Sequence, residues 1–187
     1  MQTAFKEWTV VVDALAQGDQ IIILRKGGIR EGKAGFQVAS DSFWLFPTQF
    51  HQQRESVIES AQLRYDTIKR DPNDESSFSV SAFARVEDHY ELEHWDQISR
   101  LADHHIWREE VVRERFEWGQ KKALFLMIVR AYKTDSPIEI PMLPKYGGCR
   151  SWVELEPEMP QPESLSPVLD DQQFASKLDS IQTLIKG

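Results

Sequence analysis

The sequence has little of what usually makes chemistry easy to read. A single cysteine, Cys149, rules out a disulfide within the chain and favours a reducing compartment. The five histidines, His51, His89, His94, His104 and His105, include no pair four residues apart, the spacing that puts two imidazoles on one helical face. Cys149 has no CxxC partner, so no metal and no other cofactor is expected. No serine stands in a G-x-S-x-G elbow. Long apolar runs are missing too: the longest, Ile21 to Leu24 and Ala123 to Val129, fall far short of a bilayer span. Met1 to Trp8 offers neither the basic start nor the unbroken apolar stretch of a signal peptide. A cytoplasmic protein without membrane contact is the expectation.

Basic charge is also in short supply. Against 30 aspartates and glutamates stand 22 lysines and arginines, a formal net charge of −8 over 187 residues. The distribution qualifies that sum. Residues 154–187 hold seven acids and two bases, whereas residues 1–70 hold nine bases and eight acids. Arg25, Lys26, Arg30 and Lys33 crowd a glycine-rich stretch with only Glu31 against them. The body is nearly balanced, and a nucleic-acid partner is neither favoured nor excluded by charge.

What is present suits one α+β body. Apolar and charged fractions of 41% and 28% are ordinary for a globular chain able to bury a core. Ala4, Phe5, Trp8, Val11, Val12 and Leu15 recur at helical spacing, with Gly18 as a stop. Gln20 to Arg25 reads as a buried strand, Phe43 to Phe46 as a second ended by Pro47, and Gln52 to Arg70 as one amphipathic helix. A long strand is expected from Phe78 to Tyr90, with Phe78, Val80, Ala82, Ala84 and Val86 on one face. Trp95 to Leu101 and the stretch around Trp107 to Val112 suggest helices. Leu124 to Tyr132 reads as a central strand, followed by a loop punctuated by Pro137, Pro141 and Pro144. A last strand runs from Cys149 to Leu155, with Cys149 facing the core. The expected organisation is a domain over residues 1–155, a proline-rich acidic linker over 156–170, and an amphipathic helix over 171–187. The stripe Phe174, Leu178, Ile181, Ile185 would seat that helix in a groove.

Several constellations could carry function. Arg25-Lys26-Gly27-Gly28-Ile29-Arg30 sets glycines among cations directly after a strand, where backbone N–H groups could approach an anion; a solvated glycine turn is the bland alternative. Glu31-Gly32-Lys33, with Asp19 across a strand, is a literal E-x-K of the kind a metal-dependent nuclease uses, though it falls in a loop. Trp44, Thr48, His51 and Gln52 mix donors, acceptors and rings, as a planar ligand would require; capping and core roles are the alternative. Arg150 and Trp152 share a strand face and could stack a base, or serve as a solvated arginine beside a buried ring.

Three stretches, Ile23 to Glu31, Phe43 to His51 and Tyr146 to Val153, resemble an uncharacterised bacterial family, domain of unknown function 1802, common in cyanobacteria. The resemblance covers most of residues 1–155 and implies no established activity. Fusion of its members to a restriction-endonuclease-type domain implies a link to nucleic acid. The order of elements also resembles small PUA- and ASCH-type barrels, whose signature is G-x-K-x-x-E-x-R. Gly18 and Arg25 match it, but Gln20 replaces the lysine and Ile23 the glutamate, which puts ASCH-type catalysis in doubt.

The expectation is therefore an α+β fold with a mixed, largely antiparallel twisted sheet tending to a small PUA-like barrel. Its function would be non-enzymatic recognition of a nucleic acid, nucleotide or modified base through Arg25, Lys26, Gly27, Gly28, Arg30, Trp44, Thr48, His51, Gln52, Arg150 and Trp152. A metal-dependent nuclease or restriction-system component, and a protein adaptor docking through residues 171–187, are the alternatives.

Overall fold

The computed structural model describes residues 2–26, 39–49, 51–70 and 76–187, and of His51 the backbone alone. Gly27, Gly28, Arg30, Glu31 and Lys33 lie outside the described residues.

The described residues form a mixed sheet of seven strands with five α-helices. In chain order these are β1 (Thr3–Trp8), α1 (Thr9–Gln17), β2 (Ile22–Arg25), β3 (Ser42–Thr48), α2 (Glu59–Ile68), β4 (Ser77–Leu92), α3 (Trp95–Ser99), α4 (Glu109–Glu117), β5 (Leu124–Pro141), β6 (Trp152–Glu154), β7 (Ser166–Pro167) and α5 (Asp171–Lys186). The strand order is β2-β5-β4-β3-β1-β6, with β7 added beside β5. β1 and β3 run parallel; the other pairs are antiparallel.

The first element corrects the sequence reading. Ala4, Phe5 and Trp8 belong to a strand, and only Thr9 onward is helical. The reason is that β1 lies between β3 and β6 and is covered on both faces, so Ala4 and Phe5 are both sealed. A strand buried on both sides loses its alternation and can imitate a helix. Gly18 does end α1, in a left-handed conformation at φ 76° that favours glycine. A side chain there would also strike Leu169, since a Cβ would lie 2.5 Å from Leu169 Cδ2.

Two further corrections concern the long ribbon. β5 runs through the expected proline loop as far as Pro141, and Pro137 sits where pairing slips between Val80–Ile138 and Ala82–Lys133. Such an irregularity tolerates a residue without an N–H. The slip also changes the phase of β4. Phe78 and Val80 join one apolar cluster, while Ala82 and Ala84 join the other, so the five residues expected on one face are shared between two. The stretch expected as one helix from Gln52 to Arg70 is a short 3-10 turn (His51–Gln53) followed by α2. β3 continues past Pro47 to Thr48, and Cys149 is exposed rather than facing the core.

The stretch expected as a linker is fastened to the body. Leu155 and Met159 are buried, and β7 pairs with Tyr132 and Lys133 of β5. An Asp170–Gln173 capping box then starts α5. Phe174, Ile181 and Ile185 enter the larger core cluster, so the groove that takes this stripe belongs to the chain itself. Among the described residues no helix is long and apolar enough to cross a membrane.

The sheet stays open, but its edge strands β2 and β6 come within reach of one side chain. Arg25, on the edge strand β2, donates from Nη2 to Ser151 Oγ at 3.0 Å, immediately before the opposite edge strand β6. The seam is bridged there by a side chain, and this is where the site is built.

Candidate functional site at the sheet seam

Glu7 stands at the centre of the seam. It projects from β1 on the face occupied by Phe5, and its side chain is only 1% exposed. Oε1 accepts the Trp8 backbone N–H at 2.7 Å, and Oε2 lies 3.5 Å from Arg25 Nη1. Arg25 in turn lies over the Phe5 ring, 4.9 Å from its centroid, and reaches Ser151. Trp152 completes this group, with its ring 4.8 Å from Phe5 and 5.0 Å from Phe43.

A second guanidinium enters from α4. Arg115, half-buried, lies over the rings of Trp8 at 4.4 Å and Trp107 at 5.2 Å. Burial pushes its pKa down to about 10; Glu7 opposes that shift and Arg25 adds to it. It therefore stays charged at neutral pH. Next to it His105, whose ring lies 5.6 Å from Trp107, is held neutral: burial lowers its pKa to about 4.

The neighbouring cation has another task. Lys26 Nζ donates to the carbonyls of Phe116 (2.9 Å), Lys121 (2.6 Å) and Ala123 (3.0 Å). All three of its donors are spent on the end of α4 and the chain that follows. The anion-binding role expected of Lys26 is thus corrected: it fastens α4 to the end of β2 and thereby sets Arg115 beside Arg25. Lys6 acts likewise, donating to the carbonyls of Tyr146 and Gly148, the latter at 3.1 Å, and so anchoring the segment that leads into β6. Burial lowers its pKa.

The other expected site residues divide. Thr48 borders the seam, but its hydroxyl donates to the Glu7 carbonyl at 3.0 Å, and its own carbonyl accepts from Thr9 Oγ1 and Gln53 Nε2. That network holds the turn after β3 and leaves Thr48 no hydroxyl proton for a ligand. Trp44 is corrected outright. It is 0% exposed and packs edge-on against Phe83 in the cluster on the opposite face of the sheet, so no face of its ring is accessible. Gln52 is exposed on the 3-10 turn. Asp19 pairs with Arg64. Arg150 and Trp152, with Lys145, Tyr146 and Thr3, line one open groove of about 480 Å³ along β6. Arg25, Trp152 and Arg150 are thus brought together, Thr48 supports them, Trp44 is turned to the interior of the fold, and Lys26 is spent on backbone carbonyls.

Glu7, Trp8, Trp107, Arg115 and Ser151 were missed. A charged pair, Lys6-Glu7, inside an otherwise apolar run was the available signal for Glu7, because a charge in a buried strand needs a partner. Arg115 had none: it lies more than a hundred residues from Trp8. Among the described residues no three of His, Cys, Asp and Glu gather in a metal-ligand arrangement.

A family model described as a domain of unknown function, DUF1802, matches residues 4–180. The chain belongs to that family. Crystal structures of an ASCH protein from Zymomonas mobilis are similar to this DUF1802 chain: one at 15% identity and a TM-score of 0.47, covering 93% of each chain. A serine-to-alanine variant of that protein gives 14% and 0.49, covering 96% of this chain and 94% of the other. At such identity and such scores no residue role passes across. No curated protein matches the chain.

Proposed function

We propose that the protein is a recognition module for nucleic acid or a nucleotide, with its ligand lying in the groove along β6 and reaching the sheet seam. One observation carries the reading: Arg150 and Trp152 wall the same open groove, and Trp152 packs through Phe5 against the Arg25 guanidinium. A cation and an indole side by side at a surface depression suit a planar base joined to an anionic backbone. Arg150 is exposed and makes no ion pair among the described residues. The acidic sum of the chain does not oppose this, because Arg25 and Arg115 stand against Glu7 at the seam and most of the acid excess lies toward the C-terminus.

Fluorescence anisotropy with labelled single-stranded RNA, single-stranded DNA and duplexes tests the reading. Affinity should fall steeply as salt rises from roughly 50 mM to 200 mM. Arg150→Gln and Trp152→Phe, which leave the packing against Phe5 largely in place, should weaken binding by about tenfold or more, in line with about 1–3 kcal/mol per stacked base. Absence of binding at the lowest salt, to strands and to free nucleotides alike, would remove the function altogether.

A further inference from the structure

We infer that Arg115 is a prestacked fork for a phosphate group, with Arg25 as the second cation, so that the seam takes phosphate esters rather than neutral bases. The inference rests on the recognition reading above and names the part of the ligand that the seam holds.

Three observations carry it. The Arg115 guanidinium lies over two indoles, Trp8 and Trp107. Two ring contacts fix its plane and hence the direction of its N–H edges before any ligand arrives. Among the described residues, no acceptor takes a hydrogen bond from any of its five donors; it has the ring contacts, the longer-range attraction of Glu7 and the repulsion of Arg25. A half-buried guanidinium whose donors meet no protein acceptor keeps them for water or for a ligand.

The third is the charge count. Among the described residues Glu7 is the one carboxylate that acts on Arg115, and it is shared with Arg25, 3.5 Å away, while its other oxygen takes the Trp8 N–H. Two guanidinium groups against one carboxylate leave one positive charge over at the seam. Arg25 Nε, buried, also lacks an acceptor among the described residues. A tetrahedral anion with several acceptor oxygens meets both needs, since a planar fork pairs with two phosphate oxygens at once. A neutral base edge would leave the surplus charge where it is. Lys26 makes the arrangement rigid by tying the end of α4 to the end of β2, so the two arginines keep their spacing.

The phosphate could belong to a free nucleotide or to a strand, and the experiment separates the two. The full chain is titrated calorimetrically with inorganic phosphate, nucleoside monophosphates, the matching nucleosides and a mixed-sequence single-stranded ribo-oligonucleotide. Phosphate-bearing ligands should bind, with nucleosides at least about tenfold weaker. Arg115→Lys keeps the charge but loses the fork and the stack, and should weaken every phosphate-bearing ligand by about tenfold. An oligonucleotide binding much more tightly than any monophosphate identifies a strand, and equal affinities identify a free nucleotide. Nucleosides matching nucleotides, or Arg115→Lys binding like the wild type, would overturn the phosphate site while leaving base recognition in the groove intact. If nothing binds, both fall. Should Arg115→Lys fail to fold, the arginine side-chain Nε–H resonances of the labelled wild type are followed on adding phosphate: a shifted pair is expected, and unmoved resonances refute the site.

Discussion

Two clusters of aromatic rings lie on opposite faces of the same sheet. On one face Trp44, Phe46, Phe78, Phe83 and Tyr146 pack on each other, Phe46 and Phe78 at 4.0 Å and Phe78 and Tyr146 at 5.9 Å. The charge that reaches them, Lys6, is discharged onto backbone carbonyls. On the other face, Phe5 carries Arg25, and Trp8 and Trp107 carry Arg115. Ring content is similar, yet one side is sealed and the other keeps charge without full compensation. The difference teaches that an aromatic residue in a promising stretch says little until its neighbours across the sheet are known. Trp44 and Trp152 were both candidates in the sequence. Successive residues of a strand point to opposite faces, so Phe43 joins the seam side while Trp44 joins the sealed side.

That contrast can be broken in four ways, beginning with the largest effect. Removing residues 171–187 strips Phe174, Ile181 and Ile185 from the core behind the seam. At about 1.5–3 kcal/mol for each buried side chain, the loss should reach about 5 kcal/mol or more, comparable to the whole stability of a small domain. A truncated chain that melts cooperatively at the full-length temperature would show that α5 is an appendage rather than a part of the folding unit.

Trp44→Ala should cost about 3–5 kcal/mol and, if the protein still folds, leave nucleotide affinity unchanged. A selective loss of binding at unaltered stability would place ligand on the sealed side.

Third comes pH. His105 has a folded pKa of about 4 against an ordinary 6.5. Below pH 6.5 the unfolded chain takes a proton that the fold refuses until about pH 4, so the contribution of His105 is complete above 6.5 and is lost as pH falls through that window. The whole loss is on the order of 3 kcal/mol. Urea melts at stepped pH should show the slope in wild type and a shallower one in His105→Gln; equal slopes would mean that the imidazole titrates normally.

Smallest is Lys26→Met. It deletes three hydrogen bonds to carbonyls at the end of α4 and in the chain that follows and should cost roughly 1–2 kcal/mol, while loosening Arg115 and weakening phosphate binding. If affinity survives at full strength, the clamp between β2 and α4 does not position the fork.

Much of the fold could be read from the chain. The strand over Ile22–Arg25, the stop at Gly18 and the stripe of α5 rest on local signals: β-branched runs, a left-handed glycine and a 3.6-residue period. β1 could not be told from a helix, since burial on both faces erased its alternation. The proline loop could not be told from a strand, since a slip in pairing shelters Pro137. The site was half legible. Arg25 drew notice because glycines and cations follow a strand, and Arg150 and Trp152 because a cation and a ring share a strand face, whereas Arg115 acquires its rings from β1 and from the turn before α4.

By itself, then, the sequence determined the class of fold, a mixed α+β body, and the two cation-bearing stretches that open on its edge. Which cations remain available was decided only in three dimensions. Arg25 and Lys26 are consecutive residues, yet one faces the seam beside Glu7 and the other spends all its donors on α4. The physical reason is that a charge is defined functionally by what balances it. The balancing groups here come from strands and helices far along the chain, brought close only when the sheet and its helices pack.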